Sequence, residues 1–140
     1  MNSPKHKILV VEDDEIFRKL LALIFTREGW EVITANSGRQ GLERLKENGS
    51  FSVITSDNRM PDMSGIDFLK NASQIAPDSL RIMISGTKKN DLKEHFPDDQ
   101  HFLFGFHEKP ASLVGILKTL QRAVRFREEQ MCPPSRRKTT

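Results

Sequence analysis

Residues 7–35 read KILVVEDDEIFRKLLALIFTREGWEVITA, and this stretch decides the fold. Lys7–Val11 is a short β-rich run with no turn residue inside it. Glu12, Asp13, Asp14 and Glu15 follow as an acidic break. Ile16, Leu20, Leu23 and Ile24 then recur at helical spacing on one face, and Gly29 stands where a helix reaching about Glu28 would be closed. Glu31–Ala35 returns to the β-rich pattern. Asp14 has the side chain and the place of an N-cap for the intervening helix.

The same alternation runs on from this unit. Further β-rich runs lie at Ser52–Ser56, Leu80–Ser85 and Phe102–His107. Gly41, Leu42, Leu45 and Lys46 mark a second helix closed by Asn48-Gly49, and Ile66, Phe68, Leu69 and Ala72 a third that ends before Pro77. A fourth, over Lys88–Phe96, is polar and short, with Pro97-Asp98-Asp99 after it. The last begins near Ala111, carries Leu113, Leu117, Leu120 and Val124 as its apolar stripe, and continues toward Glu129. Strands alternating with helices in this way predict an α/β domain whose parallel sheet is covered on both faces. Right-handed crossovers favour the strand order 2-1-3-4-5, which sets the ends of strands one and three side by side at the topological switch point. There is no internal repeat.

Composition narrows the classes. A chain of 140 residues with 36% hydrophobic and 29% charged residues suits a single soluble domain. No run is long enough to span a bilayer, and Pro4, Lys5, His6 and Lys7 lead straight into a strand rather than a signal peptide. The lone Cys132 has no partner for a disulfide, so a cytoplasmic setting is expected. The net charge of +3 gathers toward Arg122, Arg125, Arg127, Arg136, Arg137 and Lys138. With no nucleic-acid motif beside it, this reads as a solvated helix face and tail, and direct nucleic-acid binding is not expected.

The chemistry-bearing residues fall at strand ends: Glu12 and Asp13 after strand one, Asp57 after strand three, Ser85 after strand four and Lys109 after strand five. Strands one and three are neighbours in the expected order, about 5 Å apart. Unit charges at about 4 Å repel by roughly 1 kcal/mol in water and about 4 kcal/mol at an effective dielectric of 20. Three carboxylates in one cleft therefore call for a cation or a shared proton. Oxygen donors with no histidine or cysteine motif beside them suit Mg2+ better than zinc. Taken alone, an acidic pair at a strand end is often only a helix N-terminus that favours negative charge, and Lys109 could be a surface lysine before a helix-starting proline. Asp57 shifts the balance, because Asn58-Arg59-Met60-Pro61-Asp62-Met63-Ser64-Gly65 is a turn-forming loop that holds it at the sheet edge.

Strand, acidic pair, then Asp-x-x-Met-Pro-x-x-x-Gly from Asp57 to Gly65, then Ser85, then Lys109-Pro110 occur here in order. With that set the chain resembles the receiver domains of two-component response regulators from about Lys7 to Phe126. The resemblance implies a flavodoxin-like, doubly wound fold, with a receiver domain over residues 1–127 and a tail or linker over 128–140. It implies that Asp57 accepts a phosphoryl group from a sensor histidine kinase or phosphotransfer protein. Asp13 would bind Mg2+ directly, Glu12 mainly through metal-bound water, and the backbone carbonyl of Arg59 would be a further ligand. Ser85 would donate its hydroxyl to a phosphoryl oxygen and Lys109 would neutralise another. Phe106 takes the switch-aromatic position; core packing is an equal reading there. Arg59 and Thr87 take positions that tune phosphoryl lifetime, and a solvated Arg59 is an equal reading too.

Such a domain is a signalling module rather than an enzyme, acting only on its own phosphorylation state. The partners implied include an output domain or effector protein and leave room for a homodimer. No output domain follows within the chain, so the reading leans to the input part of a longer protein. Three positions depart from the usual pattern. Gly86 stands where alanine is common, Phe106 lacks a tyrosine hydroxyl, and Lys88–Gln100 lacks the usual signals of a fourth helix, which puts the standard dimer face in doubt. A scaffold that kept the pocket without the chemistry is the alternative. A flavin carrier would need a phosphate loop where Glu12-Asp13-Asp14-Glu15 stands, and an aspartyl phosphatase would show Asp-x-Asp there.

Overall fold

The computed structural model describes residues 6–99 and 101–131. Its strands are β1 (Lys7–Val11), β2 (Glu31–Ala35), β3 (Val53–Ser56), β4 (Leu80–Ser85) and β5 (Gly105–Glu108). They pair in parallel in the order β2-β1-β3-β4-β5, as the sequence predicts. Helices α1 (Glu15–Arg27), α2 (Gly38–Asn48), α3 (Gly65–Ile75), α4 (Lys89–Leu92) and α5 (Leu113–Met131) connect and follow the strands.

Successive residues of a strand point to opposite faces, so β1 serves two cores. Ile8 and Val10 join Leu21, Phe25, Ile116 and Leu120 of α1 and α5 on one face. Leu9 and Val11 join Leu45, Phe68, Leu69 and Ala72 of α2 and α3 on the other. Burying both faces is what lets the middle strands be almost wholly apolar. Helix starts are set by local chemistry. The Asp14 carboxylate accepts from the amides of Ile16 and Phe17, Ser37 caps α2 at Gln40, and Ser64 caps α3 at Asp67. Gly29 (φ +94°) and Gly49 (φ +74°) take the left-handed backbone that closes α1 and α2.

Four local expectations are corrected. On α1 the core face is Phe17, Leu21, Ile24 and Phe25, whereas Ile16 is 82% exposed, Leu23 52% and Leu20 39%. Two apolar registers coexist on this helix, and the one carrying both phenylalanines buries more surface. The fourth helix is a single turn over Lys89–Leu92 followed by a 3-10 turn over Lys93–His95; only Leu92 is buried, too little to hold a longer helix. Strand β5 starts at Gly105 rather than Phe102, because Phe102 donates its amide to Asp99 in a turn while its ring enters the core. Helix α5 runs to Met131, so residues 128–131 of the expected tail are helical; the rest of that tail lies outside the described residues. Among the described residues no helix is long and apolar enough to cross a membrane.

Candidate functional site

The carboxyl ends of β1 and β3 are locked side by side. Val11 pairs with Ser56, and the next amide along, that of Asp57, donates to the Val11 carbonyl at 3.2 Å. Glu12 is pinned on the other side, its amide donating to Ala35 at the end of β2. Arg18 on α1 donates to the Glu12 carbonyl at 2.8 Å. With the backbone so fixed, Glu12, Asp13 and Asp57 each bring a carboxylate oxygen to within 4.8 Å of the others. Glu12 is buried, Asp57 partly buried and Asp13 exposed, so the cluster opens to solvent on one side.

Lys109 reaches into this cluster from the end of β5. Its amide donates to the Ser85 carbonyl at 2.8 Å, and its peptide bond to Pro110 is cis. The ammonium lies 2.5 Å from Glu12 Oε1 and 3.3 Å from Asp57 Oδ2. Asp57 Oδ1 accepts from the Asn58 amide at 2.7 Å. Burial pushes the Glu12 carboxyl up to about 7, the nearby Asp57 adds to the rise, and Lys109 offsets only part of it. Burial also works against the charge on Lys109, but both carboxylates outweigh it and hold the amine above its ordinary value. The ammonium is therefore a fixed positive charge between the two carboxylates.

Ser85 is fully buried at the end of β4, its Oγ accepting from the Thr87 amide at 2.9 Å. Thr87 Oγ1 and Glu12 Oε2 are buried side-chain oxygens without a protein partner. Arg59 is exposed on the loop between β3 and α3. Phe106 pairs with Met83 across β4 and β5, and its ring packs against the core on the α2–α3 face. Contact thus joins Glu12, Asp57 and Lys109, with Asp13 close by. Ser85 and Thr87 stand at the next strand end, and Phe106 lies in the packing behind them.

Two residues escaped the sequence reading. Phe17 places its ring 4.7 Å from the Lys109 ammonium. Asp62 accepts from the amides of Gly38 and Arg39 at 3.2 and 2.7 Å, tying the β3–α3 loop to the start of α2. The aromatic register of α1 was a signal for the first. The second had none, because it joins loops far apart in sequence.

The donor set fits a hard divalent cation. All three candidate ligands are carboxylates, and Glu12 Oε2 is a buried acceptor still lacking a partner. A cleft of about 520 Å3, lined by Leu80, Arg81, Phe104 and Phe126, lies at the opposite end of the sheet, where β4 begins. It carries no comparable constellation of charge.

Comparison with known proteins agrees with this geometry. Residues 8–121 match the response regulator receiver domain. The transcriptional regulatory protein GlrR of Escherichia coli is 30% identical over 132 residues, 94% of this chain but 28% of that protein. The chain therefore spans little more than a quarter of GlrR's length. The chemotaxis protein CheY of Bacillus subtilis is 38% identical over 88 residues, 62% of this chain and 72% of CheY. A crystal structure of a response regulator receiver domain protein from Clostridium thermocellum superposes with a TM-score of 0.77 at 27% identity, covering 91% of this chain and 99% of that one. Sheet order, residue pattern and relatives converge: the chain belongs to the response regulator receiver domain family and is a two-component signalling module.

Proposed function

We propose that the domain accepts a phosphoryl group on Asp57 from a phosphohistidine of a sensor kinase or phosphotransfer protein. One observation carries the reading: the carboxylates of Glu12, Asp13 and Asp57 converge within 4.8 Å while the Lys109 ammonium stands 3.3 Å from Asp57. In the transfer an Asp57 carboxylate oxygen forms a bond to phosphorus as the donor's nitrogen–phosphorus bond breaks, and the freed imidazole takes up a proton. A carboxylate is a weak nucleophile, so the domain's contribution is alignment and charge neutralisation. Lys109 offers a preplaced positive charge and Ser85 a directional hydroxyl for the phosphoryl oxygens. Glu12, Asp13, Asp57 and the Arg59 carbonyl would hold Mg2+. Bound there, Mg2+ supplies positive charge against the phosphoryl oxygens.

Signalling follows from a shift in conformational balance. Ser85 drawn toward a phosphoryl group leaves room for Phe106 to turn inward, and this biases the surface around β5 and α5 toward a partner or output domain. In this reading Thr87 and Arg59 would tune the lifetime of the acyl phosphate, by shielding it or by orienting water.

Intact mass after incubation with Mg2+ and a small phosphodonor tests the proposal. A single phosphoryl adduct is expected on the wild type and none on Asp57→Asn or in excess EDTA. No adduct on the wild type, with small donors and with a panel of histidine kinases alike, would return the domain to a scaffold that kept the pocket without its chemistry.

A further inference from the structure

We propose that Phe17 is a positioning residue for Lys109, its ring face forming the third wall of the seat that holds the ammonium beside Asp57. The inference rests on the phospho-acceptor reading of Asp57. An ammonium carries three N–H donors. Glu12 lies 2.5 Å from the nitrogen, Asp57 lies 3.3 Å from it, and the Phe17 ring centroid lies 4.7 Å away, well inside the cation–π range of about 6 Å.

The ring is itself held from two sides. Its backbone amide donates to the Asp14 cap at 3.2 Å, which fixes the first turn of α1. Its side chain packs against the core cluster that contains Leu21, Phe25 and Ile116. Phe17 is therefore a braced surface rather than a flexible neighbour.

The need for such a surface follows from what Lys109 would do. Its four-carbon stem is flexible, and Glu12 is a competing anion on the β1 side. When an oxygen–phosphorus bond forms at Asp57, the ammonium has to leave the carboxylate oxygen it now faces and follow a phosphoryl oxygen. A carboxylate in place of Phe17 would bind the cation and resist that move. A neutral π face attracts the charge, excludes water from that side and leaves all three donors free to reorient. An aliphatic side chain would pack equally well but would not attract the cation.

The test pairs Phe17→Leu, which keeps apolar packing and removes the π face, with Phe17→Tyr, which keeps both. The first readout is the NMR position of the Lys109 side-chain CH2 next to nitrogen, which a ring at this distance shifts upfield. The second is the rate of Asp57 phosphorylation by a small phosphodonor at saturating Mg2+, with Mg2+ affinity measured in parallel. The expected result is a shifted Lys109 signal in the wild type and Phe17→Tyr. In Phe17→Leu the signal should return to the ordinary lysine position, phosphorylation should slow by about two- to tenfold, and Mg2+ affinity should hold. A wild-type Lys109 signal at the ordinary position overturns the proposal without any variant, even if Phe17→Leu fails to fold. So does a folded Phe17→Leu that is phosphorylated at the wild-type rate. Absence of an adduct on every protein, with the Lys109 signal still shifted, sinks the phospho-acceptor reading and with it Phe17's role in transfer, while the contact itself stands.

Discussion

A Cβ placed on Gly65 would lie 1.9 Å from the carbonyl oxygen of Asp57 and 2.8 Å from Asn58 Cα, closer than any side-chain carbon can approach backbone. The glycine is what allows helix α3 to start directly against the end of β3, where its amide donates to the Asn58 carbonyl at 2.7 Å. That short bond and the Asn58 amide on Asp57 Oδ1 together set the direction in which the carboxylate points. Gly65→Ala is therefore expected to cost about 1–3 kcal/mol or more, as overpacking does, and to abolish phosphorylation of whatever fraction folds. Urea unfolding and intact mass measure the two effects. Gly86→Ala is the internal control: a Cβ there meets nothing within 4 Å and the backbone is not left-handed. It should leave stability unchanged or raise it by roughly 0.4–1 kcal/mol, through the unfolded chain. Equal losses from both substitutions would show that close approach at Gly65 is not what matters.

Among the elements, the loop between β3 and α3 is held at its far end by Asp62, whose carboxylate covers the first two amides of α2 while Ser37 covers the third. These backbone donors also keep the Asp62 carboxyl below its usual range, its slight burial acting the other way. Asp62→Ala removes a cap contact, for which about 0.5–2 kcal/mol is expected, and frees the stretch that carries Arg59. Faster amide exchange at Gly38 and Arg39 with β1 and β3 unaffected is the signature to look for; unchanged exchange there would refute the latch. A contact of this kind is invisible in sequence because Asp62 falls at an unspecified position of the Asp57–Gly65 pattern and its partners lie more than twenty residues away. The first four strands and α3 were legible because their apolar spacing admits one reading, whereas the apolar run before β5 concealed the turn at Phe102. Helix α1 was read on the wrong face because Ile16, Leu20 and Leu23 form a second valid stripe, and only packing against the sheet chooses between them. The site was legible for a different reason. Strand ends converge by topology, so Glu12, Asp13, Asp57 and Lys109 could be brought together from their order along the chain. The rotation of Phe17 toward Lys109 depends on the face of α1 that packs inward, and was lost with it.

The molecule as a whole separates its stabilising and its functional parts along the sheet. Two apolar layers cover the faces, while the carboxyl-end edge collects like charges that a core would not tolerate. Three carboxylates within 4.8 Å, balanced by the single ammonium that contacts two of them, oppose folding to a degree that a bound cation can relieve. A ligand that binds the folded state alone stabilises it by about 2.7 kcal/mol at a hundredfold excess over its dissociation constant. For a domain of this size that corresponds to a rise in melting temperature on the order of 5–10 °C. Saturating Mg2+ should produce such a rise in metal-free protein, beyond that from sodium chloride at matched ionic strength. Asp13→Asn makes the prediction sharper, because it removes one ligand and one repelling charge from an exposed position. In metal-free buffer it should melt at or above the wild type, and with Mg2+ it should gain far less, so the two curves cross as the metal is added. Parallel curves, with the variant below the wild type throughout, would mean that Asp13 stabilises the fold directly and that the acidic edge is not held apart for a cation.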